Sequence, residues 1–95
     1  MSYYVAESEN GGSIEDPSED ALFEMVSELA LPDNGFITIE PPGGRSHWYV
    51  VISLLPDLGY EVEYRNALKR EHRLVSESDC SEVAQNVTIW LAVPN

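Results

Sequence analysis

The sequence predicts an α+β fold: an antiparallel sheet of four to five strands with two helices on one face, in the order β-α-β-β-β-β-α. Three observations predict it. Two segments open with a helix-capping pattern and continue with apolar residues at helical spacing. Between them lie runs rich in β-branched and aromatic residues, separated by clusters of Pro, Gly, Asn and Asp. One of these runs, Gly59 to Arg65, sets Tyr60, Val62 and Tyr64 against Glu61, Glu63 and Arg65 in strict alternation, as a strand does with one face on a core and one in water.

A chain of this length buries roughly 60 to 65% of its unfolded surface, enough for one core and not for two, so residues 1–95 read as a single domain. Met1 to Val5 is a short apolar opening that fits either an edge strand or a loose tail, and residues 6–15 read as an acidic loop turning at Gly11-Gly12. Asp16 is the expected cap of the first helix, with Pro17 at the first helical position and Glu19 completing a capping box. Leu22, Met25, Val26 and Leu29 then share one face, and Glu19, Asp20, Glu24 and Glu28 decorate the other. Pro32 is expected to end the helix and Asp33-Asn34-Gly35 to turn the chain.

The first strand after that helix is Phe36 to Glu40, closed by Pro41-Pro42-Gly43-Gly44. His47 to Leu54, closed by Pro56-Asp57, and Gly59 to Arg65 follow, and a further strand spans Glu71 to Ser76 after the polar connection Asn66 to Arg70. Asp79 and Glu82 repeat the capping pattern ahead of Val83, Val87, Trp90 and Leu91, which fall on one helical face. Residues 86–93 also suit a strand, and both assignments stay open.

Charge is the most informative part of the composition. Seventeen acidic residues face five basic ones, for a formal net charge of -12, and the ten carboxylates before Arg45 are accompanied by no Lys or Arg. Such a chain is repelled by nucleic acid and by anionic membranes and attracted to basic protein surfaces. The cations Arg65, Lys69, Arg70 and Arg73 stand close to Glu63, Glu71 and Glu77, so ion pairing accounts for them better than phosphate contact does. No positively charged segment followed by an apolar core opens the chain and no apolar run spans a bilayer, so the cytosol is the expected compartment.

Catalytic constellations are missing from the sequence. His47, His72 and the single Cys80 lack metal-ligand spacing, and the acidic run Asp16 to Asp20 lacks the pattern of a calcium loop, so no metal or other cofactor is expected. Cys80 lies between Asp79 and Ser81, whose setting favours a packing role over a nucleophilic one. Glu61 and Glu63 could pair for acid–base work, but two carboxylates on the wet side of one strand are ordinary. The connection Pro41 to Arg45 lacks the lysine and helix of a phosphate loop. A binding protein without catalysis is the expectation.

If Ile37, Ile39, Trp48, Val50, Ile52, Tyr60, Val62 and Tyr64 face the helices, the opposite sheet face presents Thr38, Glu40, Tyr49, Val51, Ser53, Glu61 and Glu63. Aromatic and apolar groups among carboxylates suit a partner-binding face, and Glu40, Tyr49, Glu61 and Glu63 are its candidate residues. The acidic helix stripe Asp20, Glu24 and Glu28 is the second candidate.

An acidic helix beginning Pro17-Ser18-Glu19-Asp20, the strand Asn34 to Glu40, the aromatic strand His47-Trp48-Tyr49-Val50 and the run Gly59 to Arg65 before a closing helix set the style of the chain. In that order of elements Pro17 to Leu91 resembles the small acidic immunity proteins encoded beside bacterial polymorphic and contact-dependent toxins. The resemblance implies an inhibitor that blocks a basic, nucleic-acid-acting toxin or nuclease. A phage-encoded nucleic-acid mimic directed at a host defence nuclease would use the same physics, and an adaptor dimerising through a strand edge would use charge for solubility alone.

Overall fold

A computed structural model describes residues 3–43, 47–57 and 59–92. Its elements run β1 (Val5–Ser8), β2 (Ser13–Glu15), α1 (Glu19–Ser27), β3 (Phe36–Glu40), β4 (Trp48–Leu54), β5 (Tyr60–Asn66), β6 (Glu71–Glu77) and α2 (Cys80–Ala92). The strands form one antiparallel sheet in the order β2-β1-β3-β4-β5-β6. The α+β class stands, with six strands in place of the four to five expected.

The additional strand comes from residues 6–15, which form a hairpin where a loop was expected. Gly11 at φ +97° makes the turn, and Ser8 N donates to Gly12 O at 2.8 Å. β1 lies inside the sheet because Ala6, fully buried, pairs with Ile39 on one side and Ile14 on the other. Glu9 then locks the hairpin to the start of β3, its Oε1 accepting from Gly35 N at 2.7 Å. Of the expected opening strand Met1–Val5, Tyr3 and Tyr4 are not strand and pairing begins only at Val5; its Met1 and Ser2, Gly44 and Arg45 of the β3–β4 connection and Val93 lie outside the described residues.

Helix α1 starts two residues later than the capping pattern implied. Ser18 is the N-cap, its Oγ accepting from Ala21 N at 3.1 Å. Asp16 has another use: at φ +45° its Oδ1 accepts from Tyr3 N and Tyr4 N, tying the N-terminal segment to the hairpin's end. The helix also stops before Pro32, at Ser27, because Ala30 and Asn34 exchange both backbone hydrogen bonds and the Asn34 side chain donates to Glu28 O. Ser18→Ala should cost about 1 kcal/mol, read as a lower urea midpoint with an unchanged slope.

Cys80–Ala92 is helical throughout, which resolves the ambiguity over the described part of 86–93. Asp79 caps it, its Oδ1 accepting from Ser81 N and Ser81 Oγ at 2.8 Å each. These bonds hold the Asp79 carboxyl below its ordinary pKa. Packing decides helix over strand: Val83, Ala84 and Val87 reach the core together only at helical spacing.

A single apolar core joins both helices to one face of the sheet. Ile37, Ile39, Val50, Ile52 and Val62 are fully buried there against Leu22, Val26, Val83 and Val87. Burial along β4 and β5 alternates residue by residue, so each of these strands divides into a core side and an uncovered side.

Candidate functional site

Because both helices pack on one side, no layer of the described residues covers the other side of the sheet. Strand register assembles it into rows. One row reads Ser13, Glu7, Thr38, Val51, Glu63 and Leu74 across the six strands. A second reads Phe36, Ser53, Glu61 and Ser76, and a third contains Tyr49, Arg65 and His72. Glu40 stands beside Val5 on β3, next to the row of Tyr49. Four of the sequence-predicted residues, Glu40, Tyr49, Glu61 and Glu63, therefore share this face, all half-buried around Thr38 and Val51.

Two groups converge on one carboxylate oxygen near the middle. Tyr49 donates its hydroxyl to Glu63 Oε2 at 3.2 Å, and His72 Nε2 lies 2.7 Å from the same atom. Desolvation and then the Glu63 charge raise the Tyr49 pKa above its usual value, and Arg65 pulls it the other way. Glu63 is thus held in place, whereas no hydrogen bond or ion pair among the described residues engages the side chain of Glu7, Glu40 or Glu61.

The remaining candidates lie elsewhere. Asp20 and Glu24 lie in α1 and Glu28 is its C-cap; all three are exposed and belong to the helix layer, where Glu28 lines a pocket with Ser8, Ser13 and Ile14 of the hairpin. The sequence therefore named two acidic surfaces that the fold separates. It missed Glu7, Phe36, His72 and Leu74 on the open face. Glu7 was hidden by reading residues 6–15 as a loop, while Phe36 and Leu74, 39% and 62% exposed, ride on strands whose partners only register reveals.

Among the described residues the cations do not gather into a patch. Arg65 belongs to the open face, while Arg73 turns to the helix side, where its guanidinium stacks 4.9 Å from the Tyr64 ring centre and Nε donates to Glu71 at 3.0 Å. Lys69 and Arg70 lie in the turn between β5 and β6.

Cys80 Sγ sits 3.0 Å from the Tyr60 hydroxyl on the core side of the sheet, and His72 is on the opposite side with Glu63. Among the described residues no group of three His, Cys, Asp or Glu could hold a metal ion, and no helix is long and apolar enough to cross a membrane.

Burial, then the Cys80 contact, pushes Tyr60 up to about 12, and burial, then the Glu77 charge, does the same for Tyr64. Both folded values lie above the unfolded ~10, so the stability tied to the neutral phenols is intact below about pH 10 and is lost as pH rises toward 12. Tyrosinate absorbance should show Tyr60 and Tyr64 ionising last among the five tyrosines, together with loss of circular dichroism. Five tyrosines titrating together near pH 10 with the fold intact would contradict this burial.

No family model, curated protein or solved structure matches the chain.

Proposed function

We propose that this protein is an inhibitor of the immunity-protein kind, which captures a basic, nucleic-acid-acting toxin or nuclease in the cytosol through the uncovered face of its sheet. The observation that carries this reading is the layout of that face: Glu7, Glu40, Glu61 and Glu63 ring Tyr49, Thr38 and Val51 on a rigid antiparallel scaffold. An enzyme that handles nucleic acid offers a positively charged channel, and a fixed array of carboxylates with a semi-apolar centre complements it in charge and desolvates well. Opposed fields also raise association rates to ~10⁸ M⁻¹s⁻¹ or more at low salt, which suits capture of a damaging enzyme. The excess of 17 acidic over 5 basic residues extends that field over the whole molecule.

Co-expression with the protein encoded beside it tests the reading. Growth should be restored when the neighbour is toxic, and restoration should fail when Glu61 and Glu63 are both changed to lysine. A toxic neighbour that this chain leaves fully active would refute the proposal.

A further inference from the structure

The two ends of the sheet differ. β2 at one edge is only three residues long, whereas β6 at the other is seven residues long and pairs on one side with β5. An edge strand of that length presents a row of backbone donors and acceptors able to take another strand. Its core-side residues Glu71, Arg73, Val75 and Glu77 pair with Asn66, Tyr64, Val62 and Tyr60. Beside them α2 supplies Ile89 and Trp90, and together with Tyr64 and Val75 these line a groove of ≈ 390 Å³ that runs along the edge. Ile89 is 58% exposed in its wall.

We infer that β6 and this groove take up an extended segment of a partner chain as a seventh strand, one that carries basic residues at its two ends and an apolar residue between them. Side-chain chemistry selects that pattern. In an antiparallel addition, alternate residues of the incoming strand point into the groove opposite Glu77, Val75, Arg73 and Glu71. The apolar residue fits over Val75 against Ile89, and the basic ones meet the carboxylates at the two ends. Those carboxylates are already fixed, Glu71 by Trp90 Nε1 at 3.1 Å and by Arg73, and Glu77 by Asn86 Nδ2 at 2.7 Å. Each retains acceptor capacity, since a carboxylate takes about four hydrogen bonds.

The same charges disfavour a second copy of this chain. Self-pairing centred on Leu74 sets Glu71 opposite Glu77 twice. The alternative centred on Val75 pairs Arg73 with Glu77, but Arg73 is held by Glu71 and Tyr64, and either register joins two chains of net charge -12. The inference is independent of the reading of the open sheet face, from which the groove is separated by the sheet itself.

The probe is a synthetic heptapeptide, Lys-Thr-Leu-Val-Thr-Thr-Lys, titrated into the isotopically labelled full chain. Saturable binding should protect every second amide of β6 from exchange. N-methylating one set of alternate peptide amides should weaken binding at least tenfold, and methylating the other set by less than about threefold, a pattern only a backbone ladder produces. Ile89→Lys should weaken binding at least tenfold while leaving the spectrum of the fold intact. No saturable binding below about 1 mM, equal losses from both methylated sets, or perturbed amides on the open sheet face would overturn the inference. So would a concentration-dependent dimer that Ile89→Lys disperses, because the edge would then belong to a second copy.

Discussion

Changing Glu40, Glu61 and Glu63 together to lysine should slow association with a basic partner by about ten- to a hundredfold at low ionic strength, with the deficit shrinking as salt is added. Each reversal moves the formal net charge by two, so the triple variant falls from -12 to -6. A matched triple reversal of Asp20, Glu24 and Glu28 produces the same net charge from the helix layer. The molecule is 21 Å across its shortest axis, and at physiological salt the screening length is about 8 Å, so helix-layer charges contribute little to a partner docking on the sheet. The sheet variant should therefore be several times slower than the helix variant in stopped-flow association at about 0.15 M salt. Equal rates would mean that net charge alone matters and that the open face is not the site. Tyr49→Ala should act differently, leaving association within about threefold and speeding dissociation, because it removes a half-buried ring at the centre of the face.

The side of each central strand was legible because a period of two leaves little choice. In Tyr60 to Arg65 the charged residues exclude the odd positions from a core, and the structure buries the even ones. β3 was readable in full for the same reason, flanked by strong turn residues. The hairpin of β1 and β2 was not, because Glu7, Ser8 and Ser13 look like loop and become strand only through pairing with β3 and with each other. Capping was half legible. Asp79 caps as its position implied, but Asp16 gives its carboxylate to Tyr3 and Tyr4, a contact 12 to 13 residues away that no local pattern encodes. At the site, alternation placed Glu40, Tyr49, Glu61 and Glu63 on one face. Their separation from Asp20, Glu24 and Glu28 depends on which way the helices pack, and the edge groove depends on strand order. Neither is a property of any single segment.

The residue beside Tyr49 should show the opposite behaviour. Trp48 is 6% exposed and sits in a chain of rings: 6.2 Å edge-on to Tyr4, 5.7 Å edge-on to Trp90, which in turn lies 5.4 Å from Tyr64. It links the N-terminal segment, the sheet and the last turns of α2. Trp48→Ala should cost ~3 to 5 kcal/mol from lost burial and the cavity left behind, including the geometry-dependent ring contacts. Against the ~5 to 15 kcal/mol that holds a domain of this kind together, that is enough to lower Tm by roughly 15 to 30 °C. Trp48→Phe, which keeps a ring in the cluster, should recover about half or more of the loss. Tyr49→Ala, one position along β4 and on the open face, should cost less than about 1 kcal/mol in the same thermal and urea measurements. A pair of neighbours, one governing stability and the other partner residence time, is what a sheet covered on one side and open on the other requires. Equal destabilisation by Trp48→Ala and Tyr49→Ala would mean that a further layer covers the face on which partner binding is proposed.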